Sequence, residues 1–119
     1  MALRSVLITG CSKGGAGESI AREFKKNGFR VFATGRNLSK IQHLVADGIE
    51  VVELDVLDNQ SIKNAAATVS GLTGGTLDTL INNAGAGTFI VMPKFGNAKI
   101  YRLHGPDHRR RQVQGQRGL

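Results

Sequence analysis

Residues 6–21 read Val-Leu-Ile-Thr-Gly-Cys-Ser-Lys-Gly-Gly-Ala-Gly-Glu-Ser-Ile-Ala, an apolar run followed by a glycine-rich turn and the start of an amphipathic segment. This order predicts a strand, a tight loop and a helix. Gly10, Gly15 and Gly17 would allow the turn, the close approach of a pyrophosphate and tight packing of helix against strand. The helix N-terminus offers N–H groups and a positive dipole end, so the stretch predicts a phosphate-binding loop. A tight turn without a ligand is the alternative that this stretch alone leaves open.

Outward from this loop, short apolar runs alternate with amphipathic segments. Such an alternation is typical of βαβ units in a parallel sheet, and right-handed crossovers give the strand order 3-2-1-4. The fold class is therefore α/β, a Rossmann-type doubly wound parallel sheet whose ligand lies at the carboxyl ends of the strands. We predict strands at 6–8, 31–34, 49–54 and 77–81, and helices at 17–26, 38–47 and 59–70.

Length and composition fit one domain without a membrane span or a secretory leader, because no apolar run in the 119 residues is long enough. The lone cysteine, Cys11, excludes an internal disulfide and fits a reducing, cytoplasmic location. We interpret Cys11 as a small loop residue, not a nucleophile, because no base lies beside it in the sequence. No metal site is predicted.

The basic excess lies near the C-terminus. From Ile90 onward the sequence has seven Lys or Arg residues and one acidic residue. Up to Phe89 it has nine basic and eight acidic residues, and the two parts together give the net charge of +7. Beyond the apolar residues 89–92 no period is evident, so we predict a disordered basic tail over 89–119 after a partial dinucleotide-binding domain over 1–88. The alternative function is non-specific binding of nucleic acid or acidic surfaces through Arg109–Arg111. The tail lacks interleaved aromatic residues, so no specific nucleic acid is expected.

One motif follows each predicted strand: Thr-Gly-x4-Gly-x-Gly, then Gly35-Arg36, Leu54-Asp55-Val56 and Asn82-Asn83-Ala84-Gly85. In this order they resemble the N-terminal half of the short-chain dehydrogenase/reductase family, over about residues 5–87. The motifs Thr-Gly-Cys-Ser-x-Gly-Gly-x-Gly and Ala-Thr-Gly-Arg-Asn resemble those of the fungal-type NADPH-dependent 1-acyldihydroxyacetone-phosphate reductases. The resemblance implies a nicotinamide cofactor and a truncated form of the doubly wound sheet.

Arg36 decides between the two nicotinamide cofactors. An NAD site usually has an acid at the end of strand two, whereas an arginine there suits a 2′-phosphate. Residues 32–36 contain no acid, so NADP(H) is favoured, with Arg36 and Lys13 holding the extra phosphate. The alternatives are an exposed arginine before a helix and a solvated loop lysine. By resemblance, Asp55 would contact the adenine, although an Asp there is often a turn former. The implied cofactor-binding residues are Gly10, Ser12, Lys13, Gly15, Ala16, Gly17, Arg36, Asp55, Val56, Asn83, Ala84 and Gly85.

The family chemistry implied by the resemblance needs a serine and a tyrosine followed four residues later by lysine. The only tyrosine is Tyr101, and Gly105 stands four residues after it. We therefore assign no catalytic residue and expect the NADP-binding half of an oxidoreductase that does not turn over. The resemblance implies that the full-length parent enzyme reduces a carbonyl with NADPH, and a ketone of a lipid precursor is the favoured substrate. Members of the similar subfamily are associated with the endoplasmic reticulum or lipid droplets.

The missing half also bears on stability. Strand four would be an exposed edge with unpaired backbone groups, and a half-sheet buries little apolar surface. We therefore expect a marginally stable chain that does not form the family's oligomers. Asn82 is predicted to bridge neighbouring strands. The abrupt change after Thr88 is interpreted as a change of reading frame or splicing.

Overall fold

The computed structural model describes residues 3–83 and 90–103, together with the backbone of a two-residue strand at 116–117. It contains a six-stranded sheet, two α-helices and two short 3₁₀ segments, Leu38–Lys40 and Gln42–Asp47. In chain order the main elements are β1 (Ser5–Ile8), α1 (Ala16–Lys26), β2 (Arg30–Gly35), β3 (Glu50–Glu53), α2 (Asn59–Thr73), β4 (Thr79–Asn82), β5 (Lys99–Arg102) and β6 (Gln116–Arg117).

The strand order is β3-β2-β1-β4-β5-β6, which confirms the predicted order of the first four strands. β1 to β5 are parallel, and β6 pairs antiparallel with β5. Leu7 on the central strand lies opposite Phe32 on one side and Leu80 on the other. Because the sheet is parallel, the carboxyl ends of β1 to β5 meet at one edge, where the predicted motifs occur.

Each face of the sheet has its own apolar cluster, because successive side chains of a strand point to opposite faces. Leu7 packs on the face covered by α2, together with Ala66 and Val69 of that helix. Val6 and Ile8 pack on the opposite face, where α1 contributes Ala21. The central strand is buried on both faces, as expected for an α/β sheet.

The segment predicted as a second helix forms two 3₁₀ turns instead, so this prediction was wrong. Of its predicted apolar stripe, Ile41 and Leu44 are buried, whereas Leu38 and Val45 are 39% and 47% exposed. The buried pair is spaced by three residues, the repeat of a 3₁₀ helix. Asn37 does cap the first turn, as predicted, by accepting the Ser39 N–H.

The prediction that no strand follows Thr88 was also wrong. β5 pairs in parallel with β4, so β4 is not the exposed edge that the sequence led us to expect. The connection between them covers the α2 face with four buried apolar residues, Ile90, Met92, Phe95 and Ala98, and β5 itself adds Ile100. This strand could not be recognised from the sequence because Lys-Ile-Tyr-Arg is short and charged at both ends. The remainder of the predicted tail lies outside the described residues, apart from the backbone of β6.

Neither helix is long and apolar enough to cross a bilayer within residues 3–83 and 90–103, and the longer one, α2, has 15 residues. Asp58 caps α2 by accepting N–H groups of Gln60 and Ser61, and Gly74 ends it in the left-handed conformation.

Candidate functional site

The loop between β1 and α1 takes its shape from glycines. Gly10 has φ +69° and Gly14 has φ +84°, a region that side-chain-bearing residues rarely adopt. Gly15 is the N-cap of α1, and its N–H donates to the Ser12 carbonyl (3.1 Å). The first N–H groups of α1, those of Ala16 and Gly17, have no acceptor within a helix of this geometry. The loop therefore presents a helix N-terminus at the carboxyl end of β1.

Gly17 lies against the start of the loop. A Cβ at this position would stand less than 3.0 Å from the Gly10 carbonyl oxygen and 2.7 Å from Asn83 Nδ2. Both neighbours are fixed, the first because it is backbone and the second because Asn83 Nδ2 donates to that same oxygen (3.2 Å). Only glycine fits here, so the predicted role of Gly17 in tight helix–strand packing matches the geometry.

Asn83 ties the end of β4 to the loop. Its backbone N–H donates to Thr9 Oγ1 (2.8 Å), and the Thr9 N–H donates to the Ile81 carbonyl (3.1 Å). Its side chain holds the Gly10 carbonyl. Asn83 thus lies at the predicted site and positions the loop. Ala84 and Gly85, predicted beside it, lie outside the described residues.

The tip of the loop lies beside the end of β2. The Lys13 N–H donates to the Lys40 carbonyl (3.3 Å), and a Cβ on Gly35 would lie 3.9 Å from Ser12 Oγ. Ser12, Lys13 and Arg36 are exposed. The backbone therefore brings three basic residues, Lys13, Arg36 and Lys40, onto neighbouring segments, and residues 35–41 contain no acid. Sequence reasoning missed Lys40, which only the 3₁₀ turn carries to the loop.

Asp55 follows β3 and lies next to the end of β2, because the Leu54 N–H donates to the Gly35 carbonyl (2.8 Å). Its Oδ1 accepts the Leu57 N–H (3.0 Å), and its own N–H donates to Ser61 Oγ (2.8 Å). Asp55 thus forms a turn and stands on the same edge of the sheet as the loop, and its contact with the adenine stays a prediction. Val56 is half-buried against the cluster on the α2 face.

Cys11 is buried within the loop, where its thiol donates to the Ile8 carbonyl (3.3 Å). Burial raises the pKa of the Cys11 thiol to about 12, so the thiol is protonated at neutral pH. This confirms the interpretation of Cys11 as a packed loop residue.

Glu18, which sequence reasoning passed over, lies in the first turn of α1 and contacts three segments. Its Oε1 accepts the Gly14 N–H (2.8 Å), and its Oε2 accepts from Arg22 Nη2 (3.1 Å) and lies 2.5 Å from His43 Nε2. The hydrogen bond from Gly14, followed by those from His43 and Arg22, lowers the pKa of Glu18 to about 2. The carboxylate is thus ionised, and Arg22 also pairs with Asp47. An acid in the first turn of a helix was the available signal.

Asn82 forms a bridge, but its side chain reaches the β4–β5 connection and not a neighbouring strand as predicted. Its Nδ2 donates to the Ile90 carbonyl (3.2 Å) and its Oδ1 accepts the Ile90 N–H (3.0 Å). Tyr101 lies in β5 and packs against the apolar cluster on the α1 face. His104 and Gly105 lie outside the described residues.

A cavity of about 670 Å³ lies on the α1 face of β4 and β5. Phe24, Phe29 and Tyr101 contribute apolar walls, and Arg4 and Lys99 contribute charge. None of the predicted cofactor residues that the structure describes lines this cavity. The predicted phosphate-binding groups lie instead on the exposed loop at the carboxyl ends of the strands, and we place the candidate site there.

The chain is similar in sequence to known short-chain dehydrogenases. The model of the short chain dehydrogenase family matches residues 4–104. The short-chain dehydrogenase cctT of Talaromyces islandicus is 51% identical over 91 residues, which are 76% of this chain and 32% of that protein. The NADPH-dependent 1-acyldihydroxyacetone phosphate reductase of Schizosaccharomyces pombe is 44% identical over 81 residues, 68% of this chain and 27% of that protein. The chain spans about a third of the length of these relatives.

Solved structures share this fold over about 70% of the chain. The NADPH-bound carbonyl reductase from chicken fatty liver matches with a TM-score of 0.63 and 36% identity, over 72% of this chain and 36% of that one. ElxO with NADP bound matches with a TM-score of 0.62 and 36% identity, over 71% and 36%. The resemblance drawn from the four motifs is thereby confirmed.

Proposed function

The chain belongs to the short-chain dehydrogenase family, and we propose that the described residues form the NADP(H)-binding part of a carbonyl-reducing member. The end of β2 carries the proposal. Arg36 is exposed there, the backbone of the loop lies beside it, and no acid occurs between Gly35 and Ile41. A cation at this position suits a 2′-phosphate, whereas an acid would hold the ribose hydroxyls of NAD.

The residues present fit a dinucleotide. The first-turn N–H groups of α1 and the dipole of that helix suit a pyrophosphate, and the glycines let it approach the backbone. Lys13 and Arg36, with Lys40 nearby, offer cations for the additional phosphate. Bound NADPH supplies a hydride for carbonyl reduction. The part that the described residues play is to bind the phosphates and to orient the cofactor along the edge of the sheet.

We further propose that a chain of these 119 residues binds the cofactor without turnover. Tyr101 is the only tyrosine, and it packs against apolar residues in β5. The reaction of the parent enzyme is inferred from the relatives. The fission-yeast reductase supports a lipid-precursor ketone as its substrate, because its name specifies an acylated dihydroxyacetone phosphate. Mixing the chain with NADPH and such a ketone should give no NADPH oxidation above the background rate.

The cofactor proposal is tested by titrating NADPH and NADH into the full chain and following binding by calorimetry. Replacing Arg36 with Ala should weaken NADPH binding about tenfold, equivalent to about 1.4 kcal/mol, and change NADH binding less than twofold. Lys63→Ala, on the exposed face of α2, removes the same charge and should change neither. Tighter binding of NADH than of NADPH by the unmodified chain, or binding of neither, would overturn the proposal.

A further inference from the structure

Gly14 stands at the tip of the loop without packing to hold it. It has φ +84°, and among the described residues no heavy atom lies within 4 Å of the position that its Cβ would occupy. A glycine in such a position has many backbone conformations available, and ordering it costs conformational entropy. Its neighbours Lys13 and Gly15 form backbone hydrogen bonds, and Gly14 itself is held by the hydrogen bond from its N–H to Glu18 Oε1 (2.8 Å).

The other oxygen of Glu18 is itself anchored. Oε2 accepts from Arg22 one turn further along α1, and from His43, since an ionised carboxylate can only accept. His43 belongs to the 3₁₀ segment Gln42–Asp47, and the preceding turn carries Lys40, whose carbonyl accepts the Lys13 N–H. The Glu18 side chain is only 14% exposed. Through it, the loop tip is joined to the helix and to the segment after β2.

We propose that Glu18 is a positioning residue for the cofactor: its carboxylate fixes the glycine-rich loop in the conformation that receives the pyrophosphate. This inference rests on the proposed NADP(H) site. A loop that is already ordered in the free protein has less conformational entropy to lose on binding, so the affinity is higher.

The geometry distinguishes this role from competition with phosphate. The Gly14 N–H precedes the N-cap, and the Gly15 N–H is already used by the Ser12 carbonyl. The donors at the start of α1, Ala16 and Gly17, remain for an anion. The negative charge of Glu18 is offset by Arg22, which contacts it directly. Glu18 therefore occupies the Gly14 N–H, which is not one of the helix N–H groups that would bind the pyrophosphate.

The test compares Glu18→Ala with Glu18→Gln in the full chain, with Glu23→Ala as the control. Glu23 is an exposed acid on the same helix, so its removal changes the charge equally. The side-chain amide introduced by Glu18→Gln retains an oxygen that can accept the Gly14 N–H. Two quantities are measured: the dissociation constants for NADP⁺ and NAD⁺, and the hydrogen-exchange rate of the Gly14 amide by NMR.

Glu18→Ala should weaken the binding of NADP⁺ and NAD⁺ by the same factor, about tenfold, because the pyrophosphate is common to both. The ratio of the two constants should stay within about twofold, unlike that of Arg36→Ala, which acts on the 2′-phosphate. Gly14 amide exchange should accelerate at least about tenfold in Glu18→Ala and stay near the wild-type rate in Glu18→Gln and Glu23→Ala.

Two results would overturn the inference. Tighter dinucleotide binding by Glu18→Ala would show that the carboxylate competes with phosphate. Unchanged Gly14 exchange in Glu18→Ala would show that it does not fix the loop. If the wild-type chain binds neither dinucleotide, the proposed function fails and the positioning role fails with it. Slow Gly14 exchange that depends on Glu18 would in that case identify a purely structural contact.

Discussion

The loop region (residues 9–17 and 35–41) follows β1 and β2, whereas the β4–β5 region (residues 79–83 and 90–103) lies on the other side of β1, and the two are held by different interactions. In the loop region, backbone hydrogen bonds join neighbouring segments, as between the Lys13 N–H and the Lys40 carbonyl (3.3 Å). In the β4–β5 region, the connection is held by the amide of Asn82 and by buried apolar side chains. The loop region follows from motifs that are local in the sequence. The β4–β5 region depends on contacts between residues that are distant along the chain and that form no clear hydrophobic pattern.

The largest effect is expected in the β4–β5 region. Phe95 is only 5% exposed and packs in the cluster on the α2 face, so Phe95→Ala should lower the free energy of unfolding by about 3 kcal/mol. Val91 lies in the same segment and is 40% exposed, and Val91→Ala should cost less than about 0.5 kcal/mol. Urea unfolding of the two variants measures the difference. Equal stabilities would mean that residues 90–98 do not belong to the core.

The loop region should respond to an added methyl group. Gly17→Ala forces a Cβ onto the Gly10 carbonyl and should cost about 2 kcal/mol, with dinucleotide binding lost because α1 must shift. Gly71→Ala is the control, because Gly71 lies in α2 with no atom within 4 Å of the added Cβ and should stabilise the chain slightly. The measurements are thermal unfolding and NADPH titration. A Gly17→Ala chain that binds NADPH normally would contradict the close packing.

The smallest effect concerns acid. The pKa of Glu18 is about 2 in the folded chain and near 4.5 in the unfolded one, so its contribution to stability is complete above about pH 5. That contribution is lost as the pH falls through the folded value, because protonation then proceeds in both states. The stability difference between wild type and Glu18→Gln should therefore shrink between about pH 5 and pH 2 in urea unfolding curves. A difference that stays constant with pH would show that the ion pairs of Glu18 do not contribute.

The four strand-end motifs allowed prediction of most of the loop region. Thr9 to Gly17 follows the first strand, and a glycine-rich turn between an apolar run and an amphipathic helix is typical of a strand–loop–helix unit. Arg36 could be placed because it directly follows a strand. The helix predicted over 38–47 was wrong: the segment forms two 3₁₀ turns, and of its apolar stripe only Ile41 and Leu44 are buried.

The β4–β5 region could not be predicted in this way. Lys99–Arg102 contains two apolar residues between two charges, a pattern that many loops share. It becomes a strand because β4 offers a parallel edge and because Ile100 is buried against the α2 face. Pairing of this kind depends on the neighbouring strand and on the residues packed against the sheet. The local sequence of the segment does not contain that information.

The sequence by itself determined the α/β class, the order of the first four strands, the loop that follows β1 and the cation that follows β2. These features are local, since each depends on residue types within a few positions. Tertiary structure alone decided that Glu18 holds the tip of the loop, that Lys40 stands beside Lys13 and that β5 extends the sheet. Those features join segments that are distant along the chain, and their geometry exists only when the strands are paired and both faces are packed.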